Sequence, residues 1–238
     1  MAGAGVRMQL VVRQLSKVYP GNRGLRPVDL DVECGELVAI VGHNGAGKST
    51  LLKLLANGLV PDHGTFTVGG TPLGDRLQLV RKVGFVPESP NLYDLFSVEY
   101  NLAMFARLFA CDAARVEEAL REFNLLPFRR SAVRTLSKGL KQRVSIGRTL
   151  LADPPVLLLD EPTAALDFEM TTEITRLIRR VHANGKTVLF TSHRPEEVKA
   201  LATRILVLHQ GAIVFDGAPD AYFQSDSYER LYACSATS

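Results

Sequence analysis

The spacing of apolar residues changes along the chain, and with it the kind of element each stretch predicts. Met8 to Val12 reads as a strand. Val28, Leu30 and Val32 alternate with Asp29 and Asp31, the period of a half-buried strand. Cys34-Gly35-Glu36 turns the chain. Leu37-Val38-Ala39-Ile40-Val41 is apolar without a break and rich in β-branched residues, which suits a strand buried on both faces of a parallel sheet. From Lys48 to Ala56 the period becomes helical, through Leu51, Leu52, Leu54 and Leu55.

From about residue 88 to 151 helical patterns dominate. Val98 to Ala110 spaces Leu102, Phe105 and Phe109 on one face, and Ala113 to Phe123 does the same with Val116, Leu120 and Phe123. Ser137 is suited to cap a further helix running through Lys141 to Leu151. Strand–helix alternation then returns. Val156 to Leu159 predicts a buried strand, Glu169 to Ala183 a helix, Thr187 to Thr191 a strand and Pro195 to Leu201 a short helix. Ile205 to Leu208 and Ala212 to Phe215, joined by His209-Gln210-Gly211, predict a hairpin. The alternation implies an α/β chain with a mainly parallel, doubly wound sheet, N-terminal β-strands and an inserted helical subdomain.

Composition narrows this picture only at its edges. The 238 residues suffice for one sizeable core. With 28 basic and 25 acidic residues, the net charge of +3 is too near neutral to argue for a nucleic-acid partner. Cys34, Cys111 and Cys234 are too widely spaced to suggest a metal cluster or a disulfide framework, and fit a reducing compartment. The opening Met1-Ala2-Gly3-Ala4-Gly5 lacks the apolar core of a secretory signal. No apolar run approaches the ~20 residues of a spanning helix. A soluble protein is expected, and any membrane it serves must be crossed by another subunit.

Two segments carry chemistry. Gly42-His43-Asn44-Gly45-Ala46-Gly47-Lys48-Ser49, followed by Thr50, lies between a buried strand and a helix and matches the phosphate-binding pattern G-x-x-x-x-G-K-[ST]. Its glycines allow a tight curl that points several N–H groups inward, and the helix N-terminus adds positive potential. Lys48 supplies a charge to the outer phosphates of ATP, and the Ser49 hydroxyl suits a Mg²⁺ ion. Asp160 and Glu161 follow the strand Val156 to Leu159, at the sheet end where ligands bind. Asp160 is suited to hold Mg²⁺ through water, and Glu161 to orient or deprotonate an attacking water.

With these two segments the chain resembles the ATP-binding cassette (ABC) family, over almost its whole length. Five further segments follow in the family's order. Leu136-Ser137-Lys138-Gly139-Leu140-Lys141-Gln142-Arg143 is similar to the signature motif, with Lys138 where glycine is usual. Ala165-Leu166-Asp167 resembles the D-loop, and His193 after Thr191-Ser192 the switch histidine. Tyr19 resembles the aromatic that stacks on adenine, or is a packed turn tyrosine. Gly84-Phe85-Val86-Pro87-Glu88 ends in glutamate where the family usually has glutamine, another Mg²⁺ ligand. Glu88 together with Leu-Ser-Lys-Gly resembles exporter-type cassettes of the ABC-2 kind.

The resemblance implies one ATPase domain over 1–238, with a core of about 1–87 and 152–238 and a helical subdomain of about 88–151. It implies ATP and Mg²⁺ bound by the phosphate loop, Tyr19, Glu88 and Asp160. It implies catalysis by Lys48, Glu161 and His193, although His193 could instead cap the helix from Pro195. Ser137 and Gly139 would close on the nucleotide of a second cassette, in a homodimer or a heterodimer. An integral membrane permease would make the assembly peripheral on the cytoplasmic face. The apolar stretch Asn91 to Phe96 either receives a helix of that permease or packs within the helical subdomain. The rival reading is a soluble ABC ATPase acting on nucleic acid or ribosomes, disfavoured by the single cassette and the small net charge.

Overall fold

The computed structural model describes residues 8–21, 23–72 and 74–225. The opening residues from Met1 and the third cysteine, Cys234, lie outside them. Strands β1 (Met8–Tyr19) and β2 (Arg23–Glu33) pair antiparallel and both run further than their alternation predicts. The pairing slips between Met8 and Leu10, Val12 and Leu15, and Leu15 and Lys17. Each slip breaks the period of two while the ladder continues.

The chain then forms β3 (Leu37–Val41), α1 (Lys48–Leu55), β4 (His63–Val68), β5 (Thr71–Pro72), α2 (Arg76–Lys82) and β6 (Val83–Val86). Next come α3 (Val98–Leu108), α4 (Ala113–Glu122) and α5 (Lys138–Leu150). The last part holds β7 (Val156–Leu159), α6 (Phe168–Ala183), β8 (Thr187–Thr191), α7 (Pro195–Leu201), β9 (Arg204–His209), β10 (Ala212–Gly217) and α8 (Pro219–Phe223). Pattern alone did not separate β4, β5, α2, β6 or α8. Helix α3 stops two residues early, just before Ala110, whose φ of 55° leaves the helical region. Helix α5 starts directly after Ser137, its expected cap, and ends one residue short of Leu151.

Two sheets result. One is four-stranded and antiparallel, in the order β2-β1-β4-β5. The other has six strands in the order β10-β9-β3-β8-β7-β6, parallel except for the antiparallel edge strand β10. Alternation within its buried strands sends neighbouring residues to different cores. Leu37, Ala39 and Val41 pack with apolar residues of α3, α4, α5, α6 and α7, whereas Val38 and Ile40 pack with α1, α2 and the antiparallel sheet. The unbroken apolar run of β3 is therefore a two-faced requirement. All five of its residues are at most 2% exposed, and each of the larger ones contributes about 1.5–3 kcal/mol by burial.

Candidate active site

Strands β3, β8 and β7 are parallel neighbours in that order, so their carboxyl ends meet. The phosphate loop leaves β3, Ser192 and His193 leave β8, and Asp160 and Glu161 leave β7. Above them lies a cleft of about 500 Å³. Residues 43–50 form its floor, and Tyr19, Arg23, Gly24, Glu88, Glu161, Ala164 and His193 complete its walls. Sheet order thus gathers residues that lie as far apart in sequence as His43 and His193.

The loop is braced from behind. Gly47 has a φ of 105°, and a Cβ there would stand 2.6 Å from the Gly24 carbonyl oxygen. Only glycine meets both demands. Gly211, in the turn between β9 and β10, donates its N–H to the Ala46 oxygen at 3.0 Å and accepts from the Arg26 N–H at 2.9 Å. Helix α1 begins at Lys48 without a side-chain cap, unlike α2 to α6. Its first N–H groups are therefore left for an anion. Lys48 is buried, and its Nζ donates to the Gly42 oxygen at 2.6 Å and the His43 oxygen at 3.3 Å. Burial pushes its amine below the usual lysine value, while Glu161 and Asp160 pull it back up. An ammonium has three donors, so one is left for phosphate.

Asp160 is buried behind Ser49. Its Oδ1 accepts from Ser49 Oγ at 3.0 Å and from Thr191 Oγ1 at 2.8 Å. Thr191 Oγ1 also accepts the Glu161 N–H at 2.7 Å. Thr191 thus fixes both acids, a role that no local pattern marks because it depends on β8 lying beside β7. Glu161 sits at a φ of 48°, in the left-handed region that side chains other than glycine seldom adopt. Such strain persists where surroundings impose it, and it concentrates at working sites. The Glu161 Oε2 lies 2.8 Å from His193 Nδ1. His193 does not cap α7, whose N-cap is Arg194.

The donor set suits a hard divalent cation. Ser49, Asp160 and the exposed Glu88 offer oxygen. Among the described residues no three His, Cys, Asp or Glu side chains converge into a closed cage. Nucleotide phosphates and water would supply the remaining ligands, as Mg²⁺ prefers.

Ser137 and Gly139 lie apart from this cleft. The Ser137 hydroxyl is exposed and accepts the Leu140 N–H at 3.3 Å. Gly139 is buried, and a Cβ there would fall 2.4 Å from Met170 Cε at the start of α6. Arg23 and Ala164, on the cleft wall, belong to no pattern that would have flagged them. In the stretch Asn91 to Phe96, Leu92 packs on the core and the Asn91 oxygen accepts from Arg148 at 2.6 Å. Tyr93, Leu95 and Phe96 face out, and Phe96 stacks on Tyr100 with ring centroids 4.4 Å apart. The stretch both packs and presents an apolar surface.

Residues 25–164 match the family model described as ABC transporter. Tyr19 and His193 fall outside that match and join the site through geometry. The chain is 34% identical to the ABC transporter ATP-binding protein NatA of Bacillus subtilis, over 88% of this chain and 87% of that one. It is 38% identical to Nod factor export ATP-binding protein I of Burkholderia orbicola, over 90% of this chain and 72% of that one. Among solved structures, cbiO1 of Clostridium perfringens, part of the ABC transporter complex cbiONQ, superposes with a TM-score of 0.82 at 28% identity and 94% coverage of each chain. The ATP-binding subunit of an ABC transporter superposes with a TM-score of 0.83 at 30% identity, covering 94% of this chain and 98% of that one. The chain belongs to the ABC transporter family, as one of the ATP-binding subunits whose ATPase activity drives transport.

Proposed function

We propose that the chain powers export through a separate membrane permease, working as a pair of identical subunits that close on two ATP molecules. The observation that carries this is a split site. Lys48, Ser49, Glu161 and His193 share one cleft, while Ser137 and Gly139, the other half of the family's pattern, lie outside it on the same chain. Both halves are present, so two copies supply two complete sites. Export is supported by the naming of relatives as Nod factor export ATP-binding proteins.

In this scheme Tyr19 stacks on adenine and residues 42–50 enclose the phosphates. Lys48 neutralises charge on the outer phosphates. Ser49, Asp160 and Glu88 would hold Mg²⁺, which would supply positive charge against the phosphates. Glu161 takes a proton from the attacking water, and its bond to the His193 ring holds its carboxylate. Closure comes before that proton transfer, and it brings His193 to the γ-phosphate, where it steadies the transition state. Ser137 and the N-terminus of α5 approach that phosphate from the opposite copy. Closing and reopening would move the permease. Residues 88–151 are proposed to turn as a unit in that motion, with Tyr93, Leu95, Phe96 and Tyr100 offering the permease an apolar patch. Among the described residues no helix is long and apolar enough to cross a membrane. In this scheme the permease holds the chain peripherally at the cytoplasmic face.

The test is phosphate release from Mg-ATP. Glu161→Gln keeps the shape and removes the base, so kcat should fall about 10²–10⁴-fold while ATP still binds. Parental turnover in that variant would rule out the role given to Glu161.

A further inference from the structure

Glu197 is a buried carboxylate with no part in the scheme above. It lies in the first turn of α7 and is 6% exposed. Its Oε2 accepts from Ser192 Oγ at 2.6 Å, and its Oε1 accepts from Thr163 Oγ1 at 2.9 Å. Both hydroxyls are themselves buried. Ser192 immediately precedes His193, and Thr163 stands two residues after Glu161. Ser192 Oγ also accepts the Arg194 N–H at 3.0 Å, so the chain is held on both sides of His193. One carboxylate therefore spans the loop that carries His193 and the turn that carries Glu161.

The placement is costly. A buried carboxylate is disfavoured unless something compensates it, and Glu197 is compensated by two hydroxyl donors and, at longer range, by the charge of Arg194. Burial pushes its acidity toward the protonated form, and the two hydroxyl donors oppose this. An apolar residue would fill the same space without that cost, yet it would leave both hydroxyls unpaired and the two loops unconnected.

We propose that Glu197 is a positioning residue for ATP hydrolysis, a strut between Ser192 and Thr163 that sets how His193 meets Glu161 and the γ-phosphate. The proposal rests on the roles given above to Glu161 and His193. Those two side chains touch at 2.8 Å across loops that are exposed in part. An error of about 1 Å in such a pair can cost about 10²-fold in rate. Glu197 does not line the cleft, and among the described residues its side-chain hydrogen bonds run to Thr163 and Ser192, so nucleotide affinity should be indifferent to it.

The experiment compares kcat, KM and ATP affinity in the parent, Glu197→Ala, Glu197→Gln, Thr163→Val, His193→Ala and the Glu197→Ala/His193→Ala pair. Glu197→Ala should lower kcat about 10- to 100-fold with KM within about threefold of the parent. Glu197→Gln, whose amide accepts from one hydroxyl and donates to the other, should recover most of that loss. Thr163→Val cuts one of the two bonds at small steric cost and should lose an intermediate amount. Retained ATP affinity shows that each variant is folded. In the His193→Ala background, Glu197→Ala should cost less than about twofold more, because a strut acting through His193 has nothing left to position. A loss in that background as large as in the parent overturns the strut and leaves the roles of His193 and Glu161 standing. Parental turnover in His193→Ala overturns the role of His193, and the strut with it.

Discussion

Single residues at this site are held by more constraints than their motif demands. Lys48 is buried and turned onto the carbonyls of its own loop, so its charge is aimed before any nucleotide arrives. Glu161 accepts a left-handed backbone, and Thr191 fixes its N–H. Preorganisation of this kind places donors and acceptors without further ordering during the reaction. Glu197 gives the residue scale a pH signature. Burial, more than any other influence, holds its carboxyl above the usual carboxylate range in the folded protein. A raised value means that its contribution to stability is complete below the unfolded value of about 4.3 and is lost as pH rises through the folded value. Glutamine does not titrate, so Glu197→Gln should gain stability relative to the parent as pH rises over that interval. Paired urea melts at about pH 4 and pH 7 measure the shift. A parent that gains on the variant with rising pH would contradict the assigned direction.

At the scale of elements, the residues legible from sequence were those whose local chemistry is independent of the rest of the chain. The phosphate loop announces itself by glycine spacing, and the cap of α5 by Ser137. β3 and β7 show as unbroken apolar runs because both of their faces are covered. β6 was not separable, since only Gly84 and Val86 of its four residues are buried and Pro87 ends it at once. β4 was hidden because His63, Gly64 and Thr65 are exposed and only Phe66 and Val68 reach the core. Thr191 joined the site through the order of the six-stranded sheet, and Arg23 through the placement of the antiparallel sheet beside the phosphate loop, neither of which a local pattern encodes.

Gly139 was read for its place in a motif, yet α6 also explains it. A Cβ there meets Met170 Cε at 2.4 Å and Cγ at 2.8 Å. Gly139→Ala should lower stability by about 1–3 kcal/mol as Met170 is displaced. At this chain length that is a fall in Tm of about 2–4 °C per kcal/mol. Met170→Ala removes the obstruction, so the double variant should melt above the sum of the two single losses. Strict additivity would show that the two side chains do not compete for space.

For the whole molecule, the two sheets and the helices form a scaffold that leaves two surfaces unfinished. One is the pair of half-sites proposed to meet in the dimer, the cleft and the N-terminus of α5. The other is the apolar patch of Tyr93, Leu95, Phe96 and Tyr100. Charged substitutions at Tyr93 or Phe96 should leave the melting temperature and basal ATPase of the isolated chain close to parental, and should prevent co-purification with the permease. An intact complex in those variants would remove the patch from the docking surface.

The central claim is that one chain carries two halves of different sites. Light scattering on Glu161→Gln, with ATP present and hydrolysis blocked, tests it most directly. The expected result is a doubling of mass with ATP that is absent with ADP and abolished by Ser137→Arg on the same background. A chain that binds ATP to saturation and remains a monomer would contradict the account.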